Sequence, residues 1–191
     1  MRLAGERGRG THVVVALTGA SGAVYGVRLL EALECEKSAI VSEEALRILR
    51  LETGLGAREL RRRSTRLYRN SELDAPIASG SRPFDGMVIC PCSMSTASKI
   101  ACGISDNLVT RAASVALKER RRLVLVPRET PLSTIHLRAL TTLSEAGAVV
   151  LPACPAFYGR PASVGELVDF VVGRVLDALG VDNRLYRRWG E

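Results

Sequence analysis

The sequence is poor in three residue types that often carry function. Aromatic residues make up 4% of its 191 positions, histidine occurs twice, and only Lys37, Lys99 and Lys118 are lysines among 27 basic residues. So few aromatics do not make the stacking platform on which single-stranded nucleic acid is bound. The net charge is +7 and the pI near 9.6, but the runs Arg61-Arg62-Arg63 and Arg120-Arg121-Arg122 are short and read as solvated faces. Nucleic acid is therefore not an expected partner. No apolar run approaches the ~20 residues of a membrane helix. Residues 1–10 lack the apolar stretch of a signal peptide and read as a disordered basic arm before a cytoplasmic domain.

Other absences concern chemistry. The five cysteines are odd in number and follow no secretory signal, so a disulfide framework is not expected. Cys90 and Cys92 lack a second Cys/His pair at zinc-finger spacing, and no metal is expected. Cys90 reads as a small apolar residue ending a buried strand. There is no aspartate-rich magnesium–diphosphate motif, no Walker loop and no G-x-G-x-x-G fingerprint. His12 opens a strand and reads as structural, and His136 lies in a helical stretch, so neither completes a Ser-His-Asp triad.

What is present is an alternation of strands and helices. His12 to Leu17 is a β-branched apolar run, followed by a Gly-rich turn and by apolar residues at helical spacing from Val24. Ser38 to Val41, Phe84 to Cys90, Leu123 to Val126 and Ala148 to Leu151 read as further strands. Helices are expected at Glu43 to Glu52 with Ser42 as N-cap, from Ser93, at Asp106 to Glu119, at Leu132 to Ala146 closed by Gly147, and at Val164 to Leu179. Residues 53–83 read mostly as loop with one short helix. The pattern predicts a single-domain α/β fold over 11–181, a Rossmann-like (flavodoxin-like) doubly wound parallel sheet, with a polar tail at 182–191 expected to pack on a neighbouring subunit.

Ligands of such sheets sit beyond the carboxyl ends of the strands. There the sequence places Gly19, Ala20, Ser21 and Gly22; Ser93, Met94, Ser95 and Thr96; Pro127 to Pro131 with Arg128 and Glu129; and Pro152 to Tyr158. The first of these is equally a tight turn, and the Arg128–Glu129 pair is equally a surface ion pair. Capping a helix needs only one hydroxyl, and three stand at Ser93, Ser95 and Thr96. The surplus favours a bound phosphate. Together the clusters indicate a phosphorylated ligand carrying a ring.

In chain order the segments at 17–33 (LTGASGAVYGVRLLEAL), 51–54 (LETG), 87–96 (MVICPCSMST), 108–137, 147–161 (GAVVLPACPAFYGRP), 169–180 (DFVVGRVLDALG) and 188–191 (RWGE) resemble the UbiX-like flavin prenyltransferases. The resemblance implies a transferase that joins a dimethylallyl group, from dimethylallyl monophosphate and without metal, to reduced FMN. The prenylated FMN is then cofactor for UbiD-like decarboxylases, as in ubiquinone biosynthesis. It further implies that Gly19, Ala20, Ser21, Ser42, Ser93, Met94, Ser95, Thr96 and Arg128 bind FMN. Lys118, Tyr158, Arg174 and Arg111 would bind the donor phosphate. Glu129 is implied as acid/base, with Glu52 and Ser21 near the reacting ring. Trp189 would close over the prenyl chain from a neighbouring subunit of a homo-oligomer, a dodecamer. The connection at residues 34–39 is several residues shorter than is usual in that family.

Physical chemistry is compatible with these roles. Fixed cations at Lys118, Arg111 and Arg174 would stabilise the charge of a leaving phosphate in place of a metal. Lys118 is otherwise a solvated residue of a charged helix end. Two other readings stay open: an FMN-dependent oxidative decarboxylase of a cysteinyl substrate, which normally needs a histidine after the first strands, and a binding module without chemistry.

Overall fold

The computed structural model describes residues 10–190, so the expected arm lies outside the described residues except for Gly10. Six parallel strands form one sheet in the spatial order β3-β2-β1-β4-β5-β6. They are β1 (His12–Leu17), β2 (Glu36–Val41), β3 (Arg66–Arg69), β4 (Gly86–Cys92), β5 (Arg122–Pro127) and β6 (Val149–Val150). The helices are α1 (Ala23–Ala32), α2 (Glu43–Thr53), α3 (Ala57–Arg62), α4 (Met94–Ala101), α5 (Leu108–Lys118), α6 (Thr134–Glu145) and α7 (Val164–Leu179). The strand order is that of a Rossmann fold; without the short edge strand β3 it reduces to the flavodoxin order.

Strand side chains alternate between two cores. Val14, Ala16, Met87, Ile89, Leu123 and Leu125 meet α4, α5 and α6 on one face. Val13, Val15, Leu17, Val88, Val124 and Val126 meet α1, α2, α3 and α7 on the other. A sheet covered on both faces needs strands that are apolar on both sides, which is why β1 reads as an unbroken apolar run. The doubly wound fold expected from the sequence is the one observed.

Several local expectations change. Residues 53–83 hold the one short helix expected there, α3, and also β3 and a short 3₁₀ turn at Pro76–Ala78. β3 escaped notice because four residues, Arg-Leu-Tyr-Arg, are too few to show a period, and its charged ends protect a sheet edge rather than fill a core. β4 runs on through Pro91 to Cys92, with a register irregularity after Ile89. α5 starts at Leu108 because the Asn107 side chain accepts from Thr110 N. α6 starts at Thr134 because Ser133 caps His136 N, and β6 has only two residues. The short connection after α1 is absorbed by Lys37, whose ammonium donates to the carbonyls of Leu30 (2.7 Å) and Leu33 at the end of that helix. His12 is structural, its Nε2 lying 3.0 Å from Ser38 Oγ.

α1 crosses the sheet at very close range. A methyl group at Gly26 would lie 2.8 Å from Leu17 Cγ and closer still to the Cys90 carbonyl. We expect Gly26→Ala to destabilise the fold by about 1–3 kcal/mol through overpacking. The check is a lower urea midpoint with an unchanged slope; an unchanged midpoint would refute the close crossing.

Candidate functional site at the strand order reversal

Between β1 and β4 the chain changes direction of winding, so the loops leaving these two strands diverge and open a crevice. Thr18 spans its floor. The Thr18 hydroxyl donates to Pro91 O at 3.0 Å and accepts from Ser93 N at 2.8 Å, and Thr18 N donates to Pro91 O at 3.2 Å. Neighbouring strand ends are laced in the same way, with Ser42 N on Leu17 O, Arg128 N on Cys92 O and Ala153 N on Pro127 O.

The first loop differs from a plain anion cradle. Gly22 sits at φ +100 and no side chain of its own caps α1. The Glu52 carboxylate fills that position instead, accepting from Gly22 N at 3.0 and 3.1 Å and from Ala23 N at 2.8 Å. A helix N-terminus favours an anion, and here the protein supplies one from the end of α2. Arg128 reaches the same loop, donating from Nε to Ser21 O at 3.1 Å. Tyr25 packs beneath Gly22. Its phenol is pushed up by burial and by Cys90 and Cys154, with Arg128 opposing. Gly19 leaves no room for a side chain, since a Cβ there would lie 2.9 Å from Glu44 Cβ. Gly19, Ala20, Ser21, Glu52 and Arg128 thus form one cluster.

The second loop starts α4. Ser93 Oγ accepts from Thr96 N at 3.2 Å and lies 3.0 Å from Thr96 Oγ1. Ser95 is exposed, but the Met94 side chain is buried in the core, so only its backbone N–H is left to meet a ligand. Ser42 caps α2 by accepting from Ala45 N at 3.1 Å. Glu129 is exposed, and its carboxylate accepts from Thr130 N at 3.0 Å. Cys90 and Cys92 are fully buried; burial pushes both thiols up, that of Cys92 to about 12, so both are neutral packing groups.

The remaining expected residues are not brought together within one chain. Lys118 ends α5 just before β5 begins, at the amino ends of the strands, and pairs with Glu119 at 2.6 Å. Arg111 lies two turns earlier on the same helix and donates to Ala78 O at 3.0 Å. Arg174 is on α7, across the sheet from α5. Its Nη1 lies 3.4 Å from the Tyr186 hydroxyl and 3.5 Å from Asp177 Oδ2.

The tail folds back along its own α7. Asn183 Nδ2 donates to Gly173 O and Asp177 Oδ1, and the Tyr186 hydroxyl donates to Asp177 Oδ2 at 2.6 Å. Trp189 meets Tyr158 edge-on at 5.1 Å and is otherwise 81% exposed. Loop, helix and tail border an open cleft of about 730 Å³ lined by Tyr158, Phe170, Tyr186, Arg184 and Arg188, among others. Burial alone would raise the Asp177 carboxyl, but bonds from Arg188 and Tyr186 hold it below the usual range. Sequence reading missed Thr18, Tyr25 and Asp177. The only signal for Asp177 was a carboxylate within the apolar run Val171 to Leu179.

The sequence matches the Flavoprotein family over residues 2–176. It is 51% identical over 178 residues to the flavin prenyltransferase UbiX of Thermoplasma acidophilum, covering 93% of this chain and 99% of that protein. Among solved structures it is similar to AnUbiX in complex with FMN and dimethylallyl pyrophosphate, at 42% identity and a TM-score of 0.94, covering 96% of this chain and 99% of that one. It is similar also to the dodecameric FMN-dependent UbiX-like decarboxylase from Escherichia coli, at 44% identity and a TM-score of 0.92, covering 95% and 100%.

Thr18 is the tie between the two halves of the crevice. Thr18→Val keeps the shape but leaves Ser93 N without its acceptor, at an expected cost of about 1–3 kcal/mol. Urea denaturation measures it, and a variant as stable as the parent would show that the bridge is dispensable.

Proposed function

The chain belongs to the UbiX-like flavin prenyltransferase family, and we propose that it is a transferase that joins a dimethylallyl group to reduced FMN, the donor being dimethylallyl monophosphate. The observation that carries this reading is the crevice between β1 and β4. Its hydroxyls at Ser93, Ser95 and Thr96 stand at one helix start, and the Glu52 carboxyl group stands at the other.

Reduced FMN supplies a nucleophilic ring, and the protein holds it. The crowded backbone at Gly19, Ala20 and Ser21 admits the ring closely. Ser42, Ser93, Ser95, Thr96, Arg128 and the N–H of Met94 bind FMN, the phosphate resting on the hydroxyls and N–H groups that begin α4. Because Glu52 already occupies the start of α1, that end is left to the ring rather than to the phosphate. Glu129 takes the ring proton released as the prenyl group closes its carbon–carbon bond to the flavin ring, and its exposed position allows the proton to pass to solvent.

Donor binding calls for an assembly. Lys118 and Arg111 lie on one face of the sheet and Arg174 with Tyr158 on the other, so a single phosphate meets all four only if α5 comes from a neighbouring subunit. Arg111 and Lys118 are exposed and two helical turns apart, about 10 Å along α5, which makes them a presentable stripe. These cations stabilise the leaving phosphate without a metal. Trp189 closes over the prenyl chain, its aromatic face suited to allylic cation character. The homo-oligomer is a dodecamer, like the E. coli structure. The product passes to a UbiD-like decarboxylase, and the setting is cytoplasmic. Among the described residues no helix is long and apolar enough to cross a membrane.

The cysteinyl decarboxylase reading is not favoured. His12 is tied to Ser38, and His136 closes the cap of α6 through Ser133.

Anaerobic incubation with reduced FMN and either dimethylallyl monophosphate or diphosphate, followed by mass spectrometry of the released flavin, tests the proposal. We expect a flavin heavier by one five-carbon unit, formed faster from the monophosphate and not formed by Glu129→Gln. Lys118→Ala should lower the rate about 10²–10³-fold. Recovery of unchanged FMN from the parent protein with both donors would overturn the assignment.

A further inference from the structure

Among the described residues, Asp177 is a carboxylate on which the tail converges. Three tail residues reach it: Asn183 Nδ2 at 2.9 Å, the Tyr186 hydroxyl at 2.6 Å, and the Arg188 guanidinium through Nη2 at 3.0 Å and Nη1 at 3.3 Å. Arg174, one turn earlier on α7, touches the same carboxylate oxygen as Tyr186. Gly173 makes the approach possible, since a Cβ there would lie 2.8 Å from Tyr186 Cε1. The Tyr186 ring then lies 5.0 Å from Phe170, Phe170 lies 6.0 Å from Tyr158, and Tyr158 meets Trp189.

We propose that Asp177 is a positioning residue that fastens the tail to α7 and, through the same contacts, aims Arg174 at the donor phosphate, so that tail docking and donor binding are coupled. The proposal rests on the prenyl-transfer reading only for the identity of the donor. The geometry supports it in two ways. The carboxylate is shared between two guanidiniums, so it does not fully neutralise either one. The contacts of Arg174 to Tyr186 and Asp177, at 3.4 and 3.5 Å, are long for hydrogen bonds. They orient the guanidinium while leaving its other donors for an anion. The bidentate Arg188 grip is the tighter one and holds the segment that carries Trp189. A phosphate held by the other donors of Arg174 leaves its contacts to Asp177 and Tyr186 in place, so donor, Arg174 and the tail are held by one network.

The chain has a single tryptophan, so its emission reports the tail directly. The experiment compares the assembled parent protein with Asp177→Asn, Asp177→Glu and Tyr186→Phe. It measures donor affinity by calorimetry with dimethylallyl monophosphate, KM and kcat, FMN affinity, and Trp189 emission with and without donor. For Asp177→Asn we expect donor Kd and KM to rise about ten- to a hundredfold, the range of a charged hydrogen bond. The expected kcat at saturation is within about threefold of the parent, with FMN affinity unchanged and Trp189 emission red-shifted. Asp177→Glu should recover part of the donor affinity, and Tyr186→Phe, the mildest change, should show a smaller shift of the same kind. Parental donor affinity and emission in Asp177→Asn would overturn the proposal. So would a parallel loss of FMN affinity and fold stability that Asp177→Glu does not repair. A parent protein that binds donor but makes no prenylated flavin would overturn the reaction instead, while the calorimetric comparison would still decide the clasp.

Discussion

The structure depends on the parallel pairing of β1 with β4, the point at which the winding of the sheet reverses. Helices after β1 go to one face and helices after β4 to the other, so the loops that leave these strands separate. An open crevice of this kind would expose unpaired backbone, and the sequence deals with that residue by residue. Thr18 satisfies Ser93 N and ties itself to Pro91 O. Glu52 satisfies Gly22 N and Ala23 N. Ser93 satisfies Thr96 N. The start of α4 also presents the exposed Ser95, and the Arg128 guanidinium reaches across to Ser21 O.

The placement of charge follows from the same winding. A helix that descends from the crevice on one face carries Arg111 and Lys118 away from it, and α7 carries Arg174 on the opposite face. On the proposed function, one chain therefore offers the flavin crevice but not all the groups assigned to the leaving phosphate. In the proposed reaction oligomerisation is part of the chemistry, because the cations assigned to the leaving phosphate come from more than one subunit. The tail belongs to this logic. It folds onto its own α7 through Asp177, yet it ends in an exposed Trp189 that has one aromatic neighbour and room for another.

Much of this was legible in the sequence. The apolar runs at 12–17 and 123–126 gave buried strands, and Val164–Leu179 matched its expected helix end for end, because caps and a long amphipathic period fix such elements. β3 was not legible, since it is stabilised by its neighbour β2 and not by any pattern of its own. In the site, the glycine and hydroxyl clusters were visible because ligand positions in this fold are tied to strand ends. The cap of α1 was not: the resemblance singled out Glu52 as near the reacting ring, but its place on Gly22, 30 positions away, is seen only in the fold. The separation of Lys118 from Arg174 was likewise hidden, since one dimension does not show which face of a sheet a helix covers.

The central claim is that the protein's own carboxylate holds the start of α1 and leaves the start of α4 to the flavin phosphate. A crystal structure of the assembled protein with FMN tests this most directly. The account predicts the phosphate within hydrogen-bonding distance of Ser93, Ser95 or Thr96, with Glu52 still on Gly22 and Ala23 and the ring beside Ser21. A phosphate seated on the Gly22 and Ala23 N–H groups, with Glu52 swung away, would contradict it.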